Sequence, residues 1–296
     1  VKIVIQIHKI KKKNQKENTM SVNQIIKTVK PLSNEALFKV APSIFSESPI
    51  ETVSDKYAFV PTFKLLDTFR DAGYYPIMAS ESKAREENQG YQKHIIQFRS
   101  LENLLRPNAK DEYEDIVLTN SHNRTSSFIV DLAIFRIVCS NMLVVPSKSF
   151  VHASIVHVGF TQEKVKNAIA EVTSYMPKIK ELVATFKSIH LTKAEEQMLA
   201  NAAIDIRFDT NTHYIKADEL LKVNYPEDND KTLWSAYNRI QEAIIRGGVK
   251  MKNLITNKTF TSKAISGIDA TIKFNKELFE AVEQVALLKS NSKMVA

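Results

Sequence analysis

Five cations unaccompanied by any acid mark the stretch of this chain best suited to chemistry with an anion. Between Glu242 and Asp269 stand Arg246, Lys250, Lys252, Lys258 and Lys263, with Gly247-Gly248 inside the run and Phe260 near its end. Spaced Lys and Arg neutralise phosphate backbones. Paired glycines let the backbone approach a ligand closely, and a ring can stack on an unpaired base. A second set lies at 91–99, where Tyr91, Lys93 and Arg99 fall on one face of an expected strand. His122 and Arg124 precede a helix start expected at Thr125 to Ser127, where one phosphate could sit. The two distant segments are expected to gather into one positive face that binds nucleic acid, single-stranded DNA first.

Other chemistries find less support. Seven histidines invite a metal, but His152 and His157 are five apart on an expected strand and so point to opposite faces. Neither H-E-x-x-H nor C-x-x-C occurs, so no metal is expected. The lone cysteine, Cys139, has apolar neighbours and reads as an inert core thiol. Carboxylates such as Glu86-Glu87, Glu112, Glu114-Asp115 and Asp228/Asp230 sit in polar stretches and read as solvated surface. Neither phosphate-cradling glycine loop is present, which argues against a nucleotide-hydrolysing motor or a dinucleotide oxidoreductase. No cofactor and no catalytic residue follow from these patterns. One enzymatic alternative stays open, a pocket formed by His122, Arg136, Arg239 and Glu242. Another is a protein-interaction module, such as an anti-defence or regulatory factor.

The elements that must position these groups suggest an α+β protein. A small, mainly antiparallel sheet with packed helices is expected over 50–160, and a helical region packed on it over 161–296. Strands are expected at 53–60, 74–79, 91–99, 116–118 and 150–160. A helix opens at Pro61-Thr62 and stops at Gly73. The run from Phe128 to Met142 is apolar on nearly every side and predicts a buried helix. Val165, Ile169, Val172, Met176, Ile179, Val183 and Phe186 form a seam with spacings of three and four, kinked at Pro177. That seam serves its own core or pairs with a second copy, giving a homo-oligomer. Further helices are expected at 191–208, 217–223, 231–246 and 268–289.

Composition sets outer bounds. Forty-four per cent hydrophobic and 25% charged residues are ordinary for a globular chain of 296 residues. No run is long and apolar enough for a membrane span, and one cysteine permits no internal disulfide, in keeping with a cytoplasmic protein. Five of the eight net positive charges fall in residues 1–19, which hold six lysines and one acid. Those residues read as a disordered basic extension or as upstream in-frame translation ahead of Met20. Residues 20–49 read as a lead-in segment.

Several spaced motifs carry a resemblance. Val53-Ser-Asp-Lys-Tyr-Ala-Phe-Val-Pro-Thr62, Lys93-His-Ile-Ile-Gln-Phe-Arg99, Asn120-Ser-His122 and Phe135-Arg-Ile-Val-Cys-Ser-Asn141 resemble the phage/plasmid-like domain-of-unknown-function family nine-three-two. Leu233 to Gly248 and Ile268 to Asn275 match it too, so the resemblance covers roughly 31–289. It implies a mobile-element setting and no particular reaction. Where the family has an acid and Gly after Asn-Ser-His, this chain has Asn123 and Arg124, and a left-handed turn there would strain Arg. The resulting reading is a non-enzymatic single-strand binder in replication or recombination.

Overall fold

The computed structural model describes residues 30–53, 57, 59–105, 112–136, 142–144, 153–155 and 161–295. Helix α1 (Asn34–Val40) starts where the Ser33 hydroxyl accepts from the Ala36 amide, a side-chain cap for an otherwise unpaired N–H. Helix α2 (Thr62–Asp71) follows Pro61, and its inward face carries Leu65, Leu66 and Phe69. The main sheet then forms from β1 (Tyr74–Glu81), β2 (His94–Ser100), β3 (Glu112–Asn120) and β4 (Phe128–Arg136). A short helix α3 (Leu101–Leu105) follows β2, and two short strands, β5 (Met142–Val144) and β6 (Ala153–Ile155), both pair with β4. All pairings are antiparallel.

Residues 128–136 are therefore a strand, which corrects the helix expected at 128–142. β4 is buried on both sides, and a strand buried on both sides loses the polar/apolar alternation that identifies it. Its β-branched Ile129, Val130 and Ile134 suit the pleat. Thr125 to Ser127 cap no helix. They belong to a turn in which the Ser126 amide donates to Ser121 Oγ at 2.8 Å. The turn passes through Arg124 at φ 64°, the strained left-handed conformation expected for that position. Cys139, Asn141, His152 and His157 lie outside the described residues.

One sheet face carries Ile96, Phe98, Ile116, Leu118, Val130, Leu132 and Ile134 into the main core. Phe69 of α2 stacks on Phe98 at 4.1 Å. Helix α4 (Gln162–Ser174) covers the same core with Val165, Ala168, Ile169 and Val172. The opposite face carries Ile95, Val117 and Ala133, covered by Ile268 at the start of α8 (Ile268–Val295).

The seam of 165–186 is two helices, α4 and α5 (Met176–Ser188), divided at Tyr175 with Pro177 opening the second. Val165, Ile169, Val172, Ile179, Val183 and Phe186 are all buried in this chain's own core. Helix α6 (Lys193–Arg207) begins with a reciprocal capping box between Thr192 and Glu195. Helix α7 (Leu233–Arg246) is the true interior helix, buried from Leu233 through Glu242 and again at Ile244. Residues 217–223 hold only a single 3-10 turn at Ala217–Glu219 rather than the helix expected there. The described residues between 53 and 60 form no strand, again against expectation.

The Gly-Gly stop of α7 leads into a second sheet. Strands β7 (His213–Ile215), β8 (Lys250–Asn253) and β9 (Thr259–Thr261) pair antiparallel in that order. Gly247 sits at φ 73° and ψ −164°, a region only glycine enters cheaply. A Cβ there would lie 2.6 Å from the Lys263 carbonyl carbon and 2.9 Å from the Ser262 oxygen. Gly247→Ala should destabilise the protein by roughly 1–3 kcal/mol or more. The matching expectation in a thermal melt is a drop of several degrees, whereas alanine in place of Gly73, which has open space around it, should cost less.

Candidate functional site

The residues singled out by chemistry fall into four separate places. At the end of the main sheet where β2 begins, His94, Asn120 and His122 meet Thr62 and Ser43, all of them buried. His94 Nδ1 lies 3.2 Å from the Gln92 carbonyl and 3.0 Å from Ser43 Oγ, and its Nε2 lies 2.8 Å from Thr62 Oγ1. A carbonyl only accepts, so Nδ1 carries the proton and Nε2 accepts from the threonine hydroxyl. Asn120 Nδ2 donates to Thr62 Oγ1 at 2.9 Å and to the Val60 carbonyl at 3.2 Å. The two imidazoles are 5.1 Å apart between ring centres, and Phe59 packs on His122 at 4.8 Å. Tyr57 donates to the Ser121 carbonyl at 3.0 Å, and burial pushes its hydroxyl up to about 12. Burial, with His122 beside it, holds the His94 imidazole well below its ordinary range. Motifs from three parts of the sequence thus converge on one buried polar cluster.

The second place is the opposite face of the same sheet. Arg99 is only 2% exposed. Its Nε donates to Asp115 Oδ1 at 2.9 Å and its second nitrogen to Oδ2 at 2.7 Å. Gln97 Nε2 donates to the same carboxylate at 2.6 Å. The guanidinium lies over Tyr113 at 4.2 Å and Phe135 at 4.7 Å. Arg99 is therefore a core ion pair and does not face a ligand. Lys93 is drawn the same way, its ammonium bridging both oxygens of Asp269 at 2.6 and 2.8 Å. Tyr91 is half-buried and Arg124 exposed. Strand 91–99 and the late basic segment do not build one continuous positive face. The tertiary fold buries Arg99 against Asp115 beneath Tyr113 and Phe135 and ties Lys93 to Asp269 at the exposed start of α8.

The third place lies at the far end of the sheet, where Arg136 pairs with Glu112 in the β3–β4 register. A nine-residue strand separates it from the histidine cluster by about 26 Å, so His122 and Arg136 share no pocket. Arg136 donates to Asp228 Oδ1 at 2.9 Å, and Trp234 Nε1 donates to Glu112 Oε1 at 2.9 Å. Burial raises the Asp228 carboxyl against the pull of Arg136, and Glu242 and Arg239 act on it from nearby. Arg239 is itself held by Glu196 and by the Leu221 carbonyl. Glu242 takes Arg246 at 3.0 Å, and Arg246 also donates to the Tyr225 hydroxyl at 2.8 Å. Three members of the expected pocket do gather here, as a charge-paired junction between sheet and helices.

The fourth place is the outer face of the β7–β9 sheet. Tyr214 pairs with Lys252, and Lys252 with Thr259, while Lys250 pairs with Thr261. Alternation along each strand puts Tyr214, Lys250, Lys252, Thr259 and Thr261 on one side, with Lys216 continuing it past β7. All six side chains are exposed. Met251 and Ile215 point inward to the core. Lys258 and Lys263 are exposed at the margins, and Phe260 is 43% exposed with His213 against its ring at 5.6 Å. The acid at the edge is Glu219, which is held by Lys222 and feels Lys250. Tyr214 and Lys216 were missed in sequence because the pairing of 213–215 with the hairpin is a long-range contact. Among the described residues, no group of three or more His, Cys, Asp or Glu could hold a metal ion, and no helix is long and apolar enough to cross a membrane.

A family model described as domain of unknown function (DUF932) matches residues 49–279. Similar proteins include UPF0380 protein YfjQ of Escherichia coli (strain K12), 32% identical over 260 residues, covering 88% of this chain and 93% of that protein. UPF0380 protein YafZ of the same organism is 31% identical over 260 residues with the same coverage. No solved structure matches the chain.

Two stability outcomes follow from the buried groups. Arg99→Ala strands Asp115 without its partner and should cost roughly 3–5 kcal/mol in urea unfolding, whereas Lys93→Ala, with its partner Asp269 exposed, should cost about 1 kcal/mol or less. His94 has a folded-state pKa below that of the unfolded chain, so only the unfolded state takes up a proton just below about pH 6.5. Stability contributed by this group is complete above that pH and falls as pH drops toward the depressed folded value. The slope reaches at most about 1.4 kcal/mol per pH unit. Urea titrations at pH 7.5 and 5.5 should show a larger acid loss for the wild type than for His94→Gln.

Proposed function

The chain belongs to the DUF932 family, and from that premise we propose that it binds nucleic acid, single strands by preference, through the outer face of the β7–β9 sheet. The observation that carries this reading is the row of exposed lysines, 250 and 252 with 216 and 258 beside them, set around Tyr214 on the outer side of the sheet. Consecutive same-face positions on a strand are roughly 7 Å apart, a spacing close to that of successive phosphates in an extended single strand. Tyr214 offers a ring on which a base stacks without regard to sequence. The run 243–268 contains no acid to compete. None of Lys250, Lys252, Lys258 and Lys263 makes an ion pair with another described residue. In this reading these lysines take phosphates and Tyr214 takes a base, while Phe260, paired with Met251 on the other side of the sheet and packed on His213, takes none. A role in the replication or recombination of a mobile element accords with an activity of this kind and rests on the family resemblance alone.

Neutralising four or five phosphates on a single strand gives a log–log salt slope of about −3. Fluorescence anisotropy with a labelled oligonucleotide between 50 and 300 mM salt measures it. Lys250→Glu/Lys252→Glu should remove most of the binding and flatten the slope. Lys93→Glu, at a residue tied to Asp269, should leave both nearly unchanged. Binding indifferent to salt, or unaffected by the double variant, would exclude this surface.

A further inference from the structure

Two apolar side chains stand in solvent at the tip of the β8–β9 hairpin, where turn chemistry favours polar residues. Ile255 is 77% exposed and Leu254 is 49% exposed. The turn that presents them is fixed. Asn253 Oδ1 accepts from the amides of Ile255 at 3.0 Å and Thr256 at 2.7 Å, and from the Thr256 hydroxyl at 3.0 Å. The Asn253 amide donates to the Lys258 carbonyl at 2.9 Å, and the Leu254 amide donates across to Thr212 of the β7 approach at 2.8 Å. Asn257 closes the turn at φ 58°. Neither side chain is in the main or the secondary hydrophobic cluster. The tip is therefore a preorganised apolar point on a hydrogen-bonded hairpin; the first charged residue along each arm is an exposed cation, Lys252 or Lys258, and on the β7 side Asp209 holds the Thr212 hydroxyl at 2.8 Å.

An apolar point with a cation on each arm of its hairpin has a particular complement, a surface that is anionic at its edges and apolar in its middle. Stacked bases between phosphate backbones have that arrangement. Proteins that distort nucleic acid insert Leu, Ile or Phe between base steps while Lys and Arg hold the backbones. We infer that Leu254 and Ile255 form a wedge that packs on the terminal base pair at a junction between duplex and single strand. The outer sheet face then carries the unpaired strand away from the junction. This inference rests on the polyanion reading of that face, and adds to it the class of substrate, a forked or tailed duplex, and an action, unstacking of the first pair.

The test uses the full chain and a tailed DNA duplex carrying 2-aminopurine at its first paired position. Saturating protein should raise the fluorescence roughly twofold or more as the base unstacks. Leu254→Ser/Ile255→Ser changes only exposed side chains and should abolish most of that rise, while affinity for a plain single strand stays within about twofold. Binding of the tailed duplex without a rise, or an equal rise with the double variant, overturns the wedge and leaves the lysine face standing. Failure of the wild type to bind either DNA overturns both readings. Lys250→Glu/Lys252→Glu should lose binding and fluorescence together.

Discussion

The main sheet is buried on both faces, and most of the molecule's other features answer to that constraint. One face meets α2 and α4 through Phe69, Phe98, Leu118, Val130 and Val165. The other is closed by Ile268 at the start of α8, which brings the end of the chain back over its middle. Burying each of these aliphatic or aromatic side chains contributes about 1.5–3 kcal/mol. Any polar group on such a sheet must find a partner inside it, because no water remains to solvate it.

That requirement explains where the charged residues of the strands go. Arg99 and Asp115 pair side by side and are roofed by Tyr113 and Phe135. Their bidentate geometry suits a guanidinium and a carboxylate. Burial still raises the Asp115 carboxyl against the pull of Arg99, since desolvation opposes any ion in an apolar setting. His94 meets the same demand differently, by staying neutral and filling both ring nitrogens from Ser43, Thr62 and the Gln92 carbonyl. Arg136 reaches Asp228 across the boundary between sheet and helices, so the two halves of the chain are joined by charge as well as by a common apolar core.

The β7–β9 sheet escapes that constraint, and there the lysines remain in water. Its inner face contributes Ile215 and Met251 to the core, and its outer-face side chains are exposed. Gly247 and Gly248, at φ 73° and 82°, turn the chain sharply out of α7 into β8, with Gly248 donating to the Ser262 carbonyl at 2.8 Å. A rigid core thus holds a small cationic platform whose side chains need no internal partner.

Elements with strong local signals were legible in the residue order. It marked α2 after Pro61, the strand expected at 91–99 and found at His94–Ser100, the helix ending at Gly247-Gly248, and the acid-free basic run. The Asn-Ser-His and Lys-His motifs also identified the family. Residues 128–136 were misread as helix because a doubly buried strand and a buried helix are both simply apolar, and periodicity cannot separate them. Arg99 and Lys93 looked like ligand contacts because alternation assigns a residue to a face without saying whether that face is open. Asp115 decides the role of Arg99, Asp269 that of Lys93 and Asp228 that of Arg136, and each lies 16 or more residues from its cation in sequence. Tertiary structure alone settled which charges were neutralised inside and which were left to meet a partner, because Coulomb interaction and desolvation depend on distance and burial in space.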